Sequence, residues 1–323
     1  MCPPALTQAR PIGVVLLQND CDFVVRDGAS TVRSALDTRQ AAARNRYGEE
    51  RAPAVAQSPQ SIGELLRYWR EHRRLSQLEL ALQAGISSRH LSFVETGRST
   101  PSREMVLLLA QQLDVPLRER NQLLLAAGYA PIYAETALDA PQMAAVRAAV
   151  RQVLTGHEPY PAVAVDRGWN AVEANAPFAW IIDGVAPELL VPPVNCMRLS
   201  LHPDGLAPRI VNLGEWRAHV LGRLRRQIAL SRSAVLAQLL EEVAGYPCEQ
   251  PEPEVDVPGP GDVFTPLRIR HKGHELAFFS TVATFGTALD ITVAELSIES
   301  FFPANAATAA ALRNVQPRAA AAR

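Results

Sequence analysis

The side chains with the most recognisable chemistry lie between residues 77 and 99. Arg89 can donate two hydrogen bonds to a guanine edge, the commonest base-specific contact in the DNA major groove. Ser88 and His90 beside it add further donors and acceptors. An isolated pair such as Arg89 and His90 is more often a solvated helix face, so the hypothesis depends on the elements around it. The residues predicted to contact DNA are Gln77, Ser87, Ser88, Arg89, His90, Ser92, Arg98 and Ser99.

Two short helices joined by a tight turn are predicted to carry these side chains. Ser76 is a suitable N-cap, and Glu79 three residues later completes a capping box. Gly85 suits the position after a helix end, where the backbone takes a positive φ. Ser87 can then cap the next helix. The sequence therefore predicts a helix-turn-helix.

Apolar spacing predicts which faces of these two helices are buried. On the first helix Leu78, Ala81 and Leu82 recur at helical spacing and are expected to face the core. On the second, Leu91 and Val94 are three residues apart. The polar residues before and between them are then expected to point outward.

Phe93 and Glu95 on the second helix are predicted to have structural roles. The ring of Phe93 is expected in the core, with contact to a thymine methyl as the alternative. Glu95 is expected to orient a nearby arginine rather than to read a base. Five helices are predicted for this part of the chain, at approximately 61–73, 76–84, 87–96, 102–112 and 117–127.

Composition sets wide limits on function. The 323 residues, 48% of them hydrophobic, allow two domains with ordinary cores, and a net charge of −1 gives no general attraction to nucleic acid. The four cysteines form no CxxC pair, which favours reduced thiols over a disulfide framework or a metal site. No apolar run approaches the ~20 residues of a membrane span, and no signal peptide is recognisable. A cytoplasmic protein without membrane contact is expected.

Changes in residue pattern divide the chain into four predicted segments. Residues 1–58 are expected to be a mostly disordered extension, and 59–131 a helical domain. Residues 140–303 are expected to form a mixed domain, followed by a flexible tail at 304–323.

Within the mixed domain both helical and alternating patterns occur. Helices are predicted at 141–154 and 215–243, and a strand at 159–165. After residue 261 the period changes to two, with strands predicted at Leu267 to His271, Glu275 to Phe285 and Asp290 to Phe301. This pattern predicts an antiparallel meander.

The helical segment resembles the Xre/Cro family of helix-turn-helix regulators. Leu-Ser-Gln at 75–77, Ala-Gly at 84–85 and Glu-x-Gly-x-x-x-Pro-Ser at 95–102 carry this resemblance. Residues 88–97 and 116–131 are similar, more narrowly, to the MmyB-like subgroup. The similarity continues through segments that include Arg167-Gly-Trp-Asn170, 198–205 and 289–296, and it covers about residues 60–311.

This resemblance implies a multidomain fold: an all-α helix-turn-helix domain of five helices, then an α+β PAS-like sensor domain with an antiparallel sheet. It also implies a small apolar, fatty-acid-like ligand. Aromatic side chains could line an apolar cavity for an acyl chain, although each is individually more typical of an ordinary core. Arg198 and His202 could bind a carboxylate head group, with a surface ion pair as the alternative for Arg198. The predicted ligand-binding residues are Trp169, Asn175, Phe178, Arg198, His202, Trp216, Phe278 and Phe285.

The resulting hypothesis is a sequence-specific transcription regulator, in detail a ligand-responsive repressor that binds double-stranded DNA as a homodimer. The alternative is an adaptor of antitoxin type that uses its helical domain to bind a protein. An enzyme is disfavoured because no Gly-rich phosphate loop, Gly-x-Ser-x-Gly elbow or His-Glu-x-x-His helix is present. His271 and His274 flank a predicted hairpin turn, and no Cys or carboxylate cluster lies beside them in the sequence, so no metal site is predicted. No catalytic residue and no cofactor is predicted either.

Overall fold

The computed structural model describes residues 61–231, 233–253 and 265–315. The extension predicted to be disordered, residues 1–58, lies outside the described residues, as does the part of the predicted tail from 316 onward. Helices come first along the described chain, and a mixed helix–sheet domain follows.

Serine caps define the helices of the first domain. Ser61, Ser76, Ser87 and Ser102 each accept a backbone N–H with their hydroxyl, and the first two form complete capping boxes. Pro116 starts the last helix without a side-chain cap. The helices are α1 (Ile62–His72), α2 (Gln77–Gln83), α3 (Ser88–Glu95), α4 (Arg103–Gln112) and α5 (Leu117–Ala126). The prediction of five helices in this segment is confirmed, and each end agrees to within one residue.

The core of the helical domain corrects one sequence prediction. Ala81 is buried as expected, but Leu78 and Leu82 are 59% and 71% exposed. Leu80 is fully buried in their place, so α2 turns its 80–81 side inward. Gly63 allows α1 to pack closely on α3, because a Cβ there would lie 2.6 Å from the carbonyl oxygen of Val94.

A five-stranded antiparallel sheet organises the second domain. Its strand order is β2-β1-β5-β4-β3, so the last three strands form the predicted meander and the first two extend it. The elements are α6 (Ala144–Gly156), β1 (Ala162–Val165), β2 (Ala171–Ala174), α7 (Ala176–Ile181), α8 (Cys196–Leu201), α9 (Leu213–Ser231), α10 (Ala234–Ala244), β3 (Leu267–His271), β4 (His274–Thr284), α11 (Ile291–Ala294), β5 (Ser297–Pro303) and α12 (Ala306–Val315). This is the α+β, PAS-like fold class that the resemblance implies.

Both faces of the sheet are covered. Val163 and Val165 of β1 belong to the large core cluster, which also contains residues of α8, α9 and α10. Ala162 and Ala164, which alternate with them, pack in a smaller cluster with α6. Successive side chains of a strand point to opposite faces, so these two clusters lie on opposite sides of the sheet.

Three predicted elements differ from the structure. The helix predicted at 215–243 is two helices, because Ser233 caps a new one through the N–H of Leu236. The strand predicted from Asp290 begins instead with the short helix α11, capped by the Asp290 carboxylate, and β5 starts at Ser297. The strand predicted at 159–165 is shorter and begins at Ala162.

The predicted flexible tail also needs correction. Its first part is the helix α12, in which Thr308 and Leu312 are buried. The hydroxyl of Thr308 accepts a hydrogen bond from the backbone N–H of Ala277 on β4 at 2.9 Å. Residues 306–315 are therefore part of the domain.

Candidate functional site

The turn before α3 sets the orientation of that helix. Gly85 has a φ of +64°, and its N–H donates to the carbonyl of Leu82. The N–H of Ile86 donates to the carbonyl of Ala81 at 2.9 Å, which completes a Schellman motif at the end of α2. The hydroxyl of Ser87 then accepts from the N–H of His90 at 3.1 Å and starts α3. The predicted helix-turn-helix is present.

One face of α3 is fixed in the core. Leu91, Val94 and Glu95 are buried on this face. Ser88 and Arg89 are exposed at the beginning of the helix, so their donors are accessible from solvent. The structure therefore separates an anchored side of α3 from an outward polar side.

A buried ion pair ties α3 to α1. The guanidinium of Arg70 donates to both carboxylate oxygens of Glu95, at 2.7 and 2.9 Å, and the side chain of Glu95 is fully buried. Burial acts to raise the pKa of Glu95, but hydrogen bonds from Arg70 and Gln77 hold it below its usual value. The prediction that Glu95 orients an arginine is confirmed.

The other residues predicted to contact DNA differ in their surroundings. Gln77 donates its amide to Glu95 at 2.9 Å, so only part of its hydrogen-bonding capacity is free. His90 is half-buried, with Nε2 3.2 Å from the sulfur of Met105 on α4. Ser87 and Arg98 are exposed, and Ser92 and Ser99 are half-buried. DNA contact by each of these residues remains a prediction.

The predicted ligand residues do not form one group. Trp169, Trp216 and Phe278 are buried in the large core cluster, and Phe178 packs against its edge. Phe285 packs against the small cluster on the opposite face of the sheet, so it cannot line a cavity with the others. Phe285 lies one residue beyond the end of β4, and ligand contact by it stays a prediction separate from the other aromatic residues.

Asn175 has a structural role. Its Oδ1 accepts from the N–H groups of Ala162 and Phe178, and its Nδ2 donates to the carbonyls of Leu154 and Tyr160. Both amide hydrogens and two acceptor positions are thus used by the backbone. Ligand contact by Asn175 stays a prediction.

Arg198 and His202 are half-buried and lie near the end of α10. Arg198 donates to both oxygens of Glu242 at 2.7 Å, and Tyr246 donates to the same carboxylate. The pKa of Glu242 is lowered, chiefly by the hydrogen bond from Arg198. The Nδ1 of His202 accepts from the N–H of Asp204. The ion pair proposed as the alternative for Arg198 is therefore present, and binding of a head group by Arg198 and His202 stays a prediction.

The tryptophan N–H groups are also satisfied inside the domain. Nε1 of Trp169 donates to the Gln227 amide at 2.7 Å, and that of Trp216 donates to the hydroxyl of Ser200 at 2.8 Å. The guanidinium of Arg223 lies 4.2 Å from the centre of the Trp169 ring. These contacts hold the aromatic side chains as a packed core.

A polar group at the end of β3 was not predicted as a site. His271 is only 3% exposed, its Nδ1 accepts from Arg209 at 2.9 Å, and its Nε2 has no hydrogen-bond partner among the described residues. Its ring packs edge-on against Trp180 at 4.3 Å. Burial, then the charges of Arg209 and Lys272, lowers the pKa of His271 to about 4. The signal in the sequence was a histidine at the third inward position of an otherwise apolar alternation.

Ion pairs connect α5 of the helical domain with the end of α11 in the second domain. Arg118 donates to both carboxylate oxygens of Glu295, at 2.8 and 2.9 Å, and also to Glu135. Nη1 of Arg167 also donates to Oε1 of Glu295, at 3.3 Å. A depression of about 230 Å³ lies at this junction. It is lined by Val115, Pro116, Leu117, Arg118, Arg120, Ile291, Ala294 and Glu295.

The segment between the two domains is held by hydrogen bonds at both ends. Asn121 accepts from the N–H groups of Ile132 and Tyr133. The N–H and hydroxyl of Thr136 donate to the carboxylate of Asp290. The N–H of Ile291 donates to the carbonyl of Ala134 at 2.8 Å. This connecting segment is therefore fixed against both α5 and α11.

The described residues contain neither a cluster of metal ligands nor a candidate membrane span. Over 61–231, 233–253 and 265–315, no group of three His, Cys, Asp or Glu side chains is placed to hold a metal ion. Among the helices of those same residues, none combines the length and apolar character of a membrane span.

Comparison with known families accounts for both domains. Residues 146–315, more than half of the chain, match the model of the MmyB-like transcription regulator ligand binding domain. Residues 66–120, which include α2 and α3, match a helix-turn-helix model. A search among curated proteins found no significant match.

Proposed function

This chain belongs to the MmyB-like transcription regulators, and we propose that it is a ligand-responsive repressor that binds its operator as a homodimer in the cytoplasm. The helix-turn-helix makes it a DNA-binding regulator. The observation that carries the reading mechanism is the exposure of Ser88 and Arg89 on a helix whose opposite face is anchored by Glu95.

In this proposal α3 enters the major groove. Arg89 donates to a guanine edge, with Ser88 beside it, and Gln77 contributes through its remaining acceptor. Arg98 and Ser99 contact phosphate and fix the register of the domain on the duplex. Half-sites about one helical turn apart would require two copies of the domain, which is the reason for proposing a homodimer.

The second domain is proposed to sense a small apolar, fatty-acid-like molecule. The match to a ligand-binding domain supports sensing, and the aromatic cluster of Trp169, Phe178, Trp216 and Phe278 is the region best suited to an acyl chain. These side chains are already packed in the large core cluster or against it. A ligand would therefore have to open the cluster, and its binding would be coupled to a change of conformation.

The junction between α5 and α11 could couple the ligand-binding domain to the DNA-binding domain. A ligand that binds one arrangement of α11 more tightly than another shifts the arrangement of α5 by that difference in affinity. Glu295, at the end of α11, is bound by Arg118 of α5, so a movement of α11 would act on α5 through this ion pair. A DNA affinity that no saturating fatty acid changes would contradict this part of the proposal.

A mobility-shift titration on the protein's own upstream intergenic DNA tests the reading mechanism. Arg89→Ala is expected to weaken specific binding by about 1–3 kcal/mol, roughly five- to 150-fold, because a bidentate base contact is lost. Arg225→Ala is the matched control, since Arg225 is exposed on α9 of the sensor domain. A specific complex that ignores Arg89→Ala would show that α3 is not the reading helix.

An adaptor that binds another protein is the second candidate function. The exposed Leu78 and Leu82, four residues apart on α2, favour it because such a pair is typical of a helix contact. Duplex binding that weakens steeply with salt indicates released counterions and supports the regulator. An absence of specific binding by the unaltered protein would favour the adaptor.

A further inference from the structure

The geometry points to Phe93 as a positioning residue that holds Arg89 and Arg98 together as one DNA-reading unit. This inference rests on the proposed reading role of α3 and extends it to a residue that would not itself read a base. The guanidinium carbon of Arg89 lies 5.4 Å from the centre of the Phe93 ring, and that of Arg98 lies 6.0 Å from it. Both distances fall within the range of a cation–π contact.

Helix geometry brings the first arginine to the ring. Arg89 and Phe93 are four residues apart on α3, so their side chains are neighbours on one face of the helix. Phe93 is half-buried, whereas Arg89 is exposed. The guanidinium of Arg89 therefore lies over the half-buried ring of Phe93 at the protein surface.

A Schellman motif brings the second arginine to the same ring. Gly97 has a φ of +72°, and its N–H donates to the carbonyl of Val94 at 3.1 Å. The N–H groups of Arg98 and Ser99 both donate to the carbonyl of Phe93, at 2.8 and 3.1 Å. In a Schellman motif the residue after the glycine commonly makes an apolar contact with the residue four positions before the glycine, which here is Phe93. Here Arg98 occupies that place, and its guanidinium takes the position of the apolar group.

Contact with a ring differs from contact with a carboxylate in what it leaves free. Neither Arg89 nor Arg98 forms an ion pair with any described residue. A carboxylate would occupy the N–H donors in the guanidinium plane and cancel the charge. An aromatic face contacts the flat side of the guanidinium, so the donors at its edge and the positive charge stay available for a base or a phosphate.

Orientation before binding lowers the entropy lost when the complex forms. Ordering a long side chain at an interface commonly weakens binding by roughly two- to tenfold, and a side chain already held by a ring avoids part of that loss. Phe93 thus contributes to affinity through Arg89 and to phosphate contact through Arg98. Loss of the ring should resemble partial loss of both arginines.

The test replaces Phe93 with leucine and with tyrosine in the full chain. Phe93→Leu keeps an apolar side chain but removes the π face, and it is expected to weaken specific binding roughly three- to tenfold at fixed salt. It should also reduce discrimination at the base pair that responds to Arg89→Ala. Phe93→Tyr keeps the ring and should restore both properties. Phe279→Leu, the same change on β4, is the matched control and should leave DNA affinity unchanged.

Two further readouts separate positioning from folding and from the proposed function. Thermal melting checks that each variant folds, and the Nε–Hε resonances of Arg89 and Arg98 in the free protein should lose their ring-current shift only in Phe93→Leu. Binding by Phe93→Leu within twofold of the unaltered protein, with equal discrimination, would overturn the inference while the proposed function stands. Equal losses in the leucine and tyrosine variants would also overturn it. No specific binding by the unaltered protein would instead refute the proposed function, and the positioning role with it.

Discussion

Arginine side chains are held in different ways in the two halves of the molecule. On the surface of the helical domain, Arg89 and Arg98 lie over the ring of Phe93 and keep their donors exposed. In the sensor domain Arg198 is bound by both oxygens of a carboxylate, as is Arg118 at the junction. In these four cases the ring of Phe93 leaves the guanidinium groups of Arg89 and Arg98 available for a ligand, whereas the carboxylates that bind Arg198 and Arg118 make them part of the structure.

The same distinction applies to Arg198, a predicted ligand residue whose guanidinium is bound by a carboxylate. An arginine residue type alone does not reveal whether its fork is already occupied, and Glu242, which occupies it, is 44 residues away in the sequence. Arg70 in the helical domain belongs to the structural class as well, because its pair with Glu95 is buried. The surroundings of an arginine, rather than the domain in which it lies, therefore distinguish the two classes.

The largest effect is expected from breaking the buried pair in the helical domain. Glu95→Ala leaves the guanidinium of Arg70 without its carboxylate in a mostly buried position, and should lower the free energy of unfolding of that domain by about 3–5 kcal/mol. Native-state hydrogen exchange of amides in α1 and α3 measures this change. Glu173→Ala is the control, since its pair with Arg151 is more exposed and should contribute less than about 1 kcal/mol. Similar losses in both variants would remove the distinction between buried and exposed pairs.

Arg209 offers a third arrangement, in which an arginine is held by neutral groups. It donates to the carbonyls of Ile181 and Asp183 and to Nδ1 of His271. His274, Lys272 and the side chain of Asp183 are the other titratable groups that act on His271. Protonation of His271 would place a second positive charge against Arg209.

A smaller, pH-dependent effect follows from this arrangement. The pKa of His271 is about 4, below the ~6.5 of an unfolded histidine, so the unfolded chain binds the proton more tightly. The stability due to neutral His271 is therefore fully present above about pH 6.5 and is lost as the pH falls toward 4. Roughly 2 kcal/mol is expected between pH 7 and pH 4.5.

Denaturant unfolding of the sensor domain at these two pH values measures the loss. His271→Asn keeps an acceptor near Arg209 but cannot gain a proton, so it should lose less stability than the unaltered protein over the same range. An identical pH dependence in the two proteins would assign the effect to carboxylates elsewhere. The contact between Arg209 and His271 would then make no pH-dependent contribution to stability.

The helical domain was predictable because its signals are local. Ser76, Glu79 and Gly85 specify the ends of helices through contacts within four residues of themselves. Leu78 and Leu82 were assigned to the wrong face because α2 has leucines on both sides. Packing against α3 and α4 decides which side is buried, and a short helix carries little information about that choice.

The sensor domain was less predictable because its contacts are distant in sequence. The alternation in β3 predicted its buried face, including His271, without revealing that Arg209 would meet it. The sequence left both a ligand contact and a role in satisfying backbone groups open for Asn175, and it did not reveal that its partners come from α6, β1 and α7. Its role follows from the assembled backbone, which no local pattern contains.

The smallest effect is expected at the junction of the two halves, where an arginine of the helical domain meets a carboxylate of the sensor domain. Glu295→Gln removes the charge that holds Arg118 and Arg167, both partly exposed, and should weaken the junction by about 1 kcal/mol. The amide of Ile291, which donates to Ala134 in the connecting segment, should then exchange roughly fivefold faster. Glu275→Gln, which breaks an exposed pair on β4, should leave that amide unchanged. Unchanged exchange at Ile291 in Glu295→Gln would mean that the connecting segment, rather than the ion pairs, holds the domains together. Arg118 would then have no structural role at the junction.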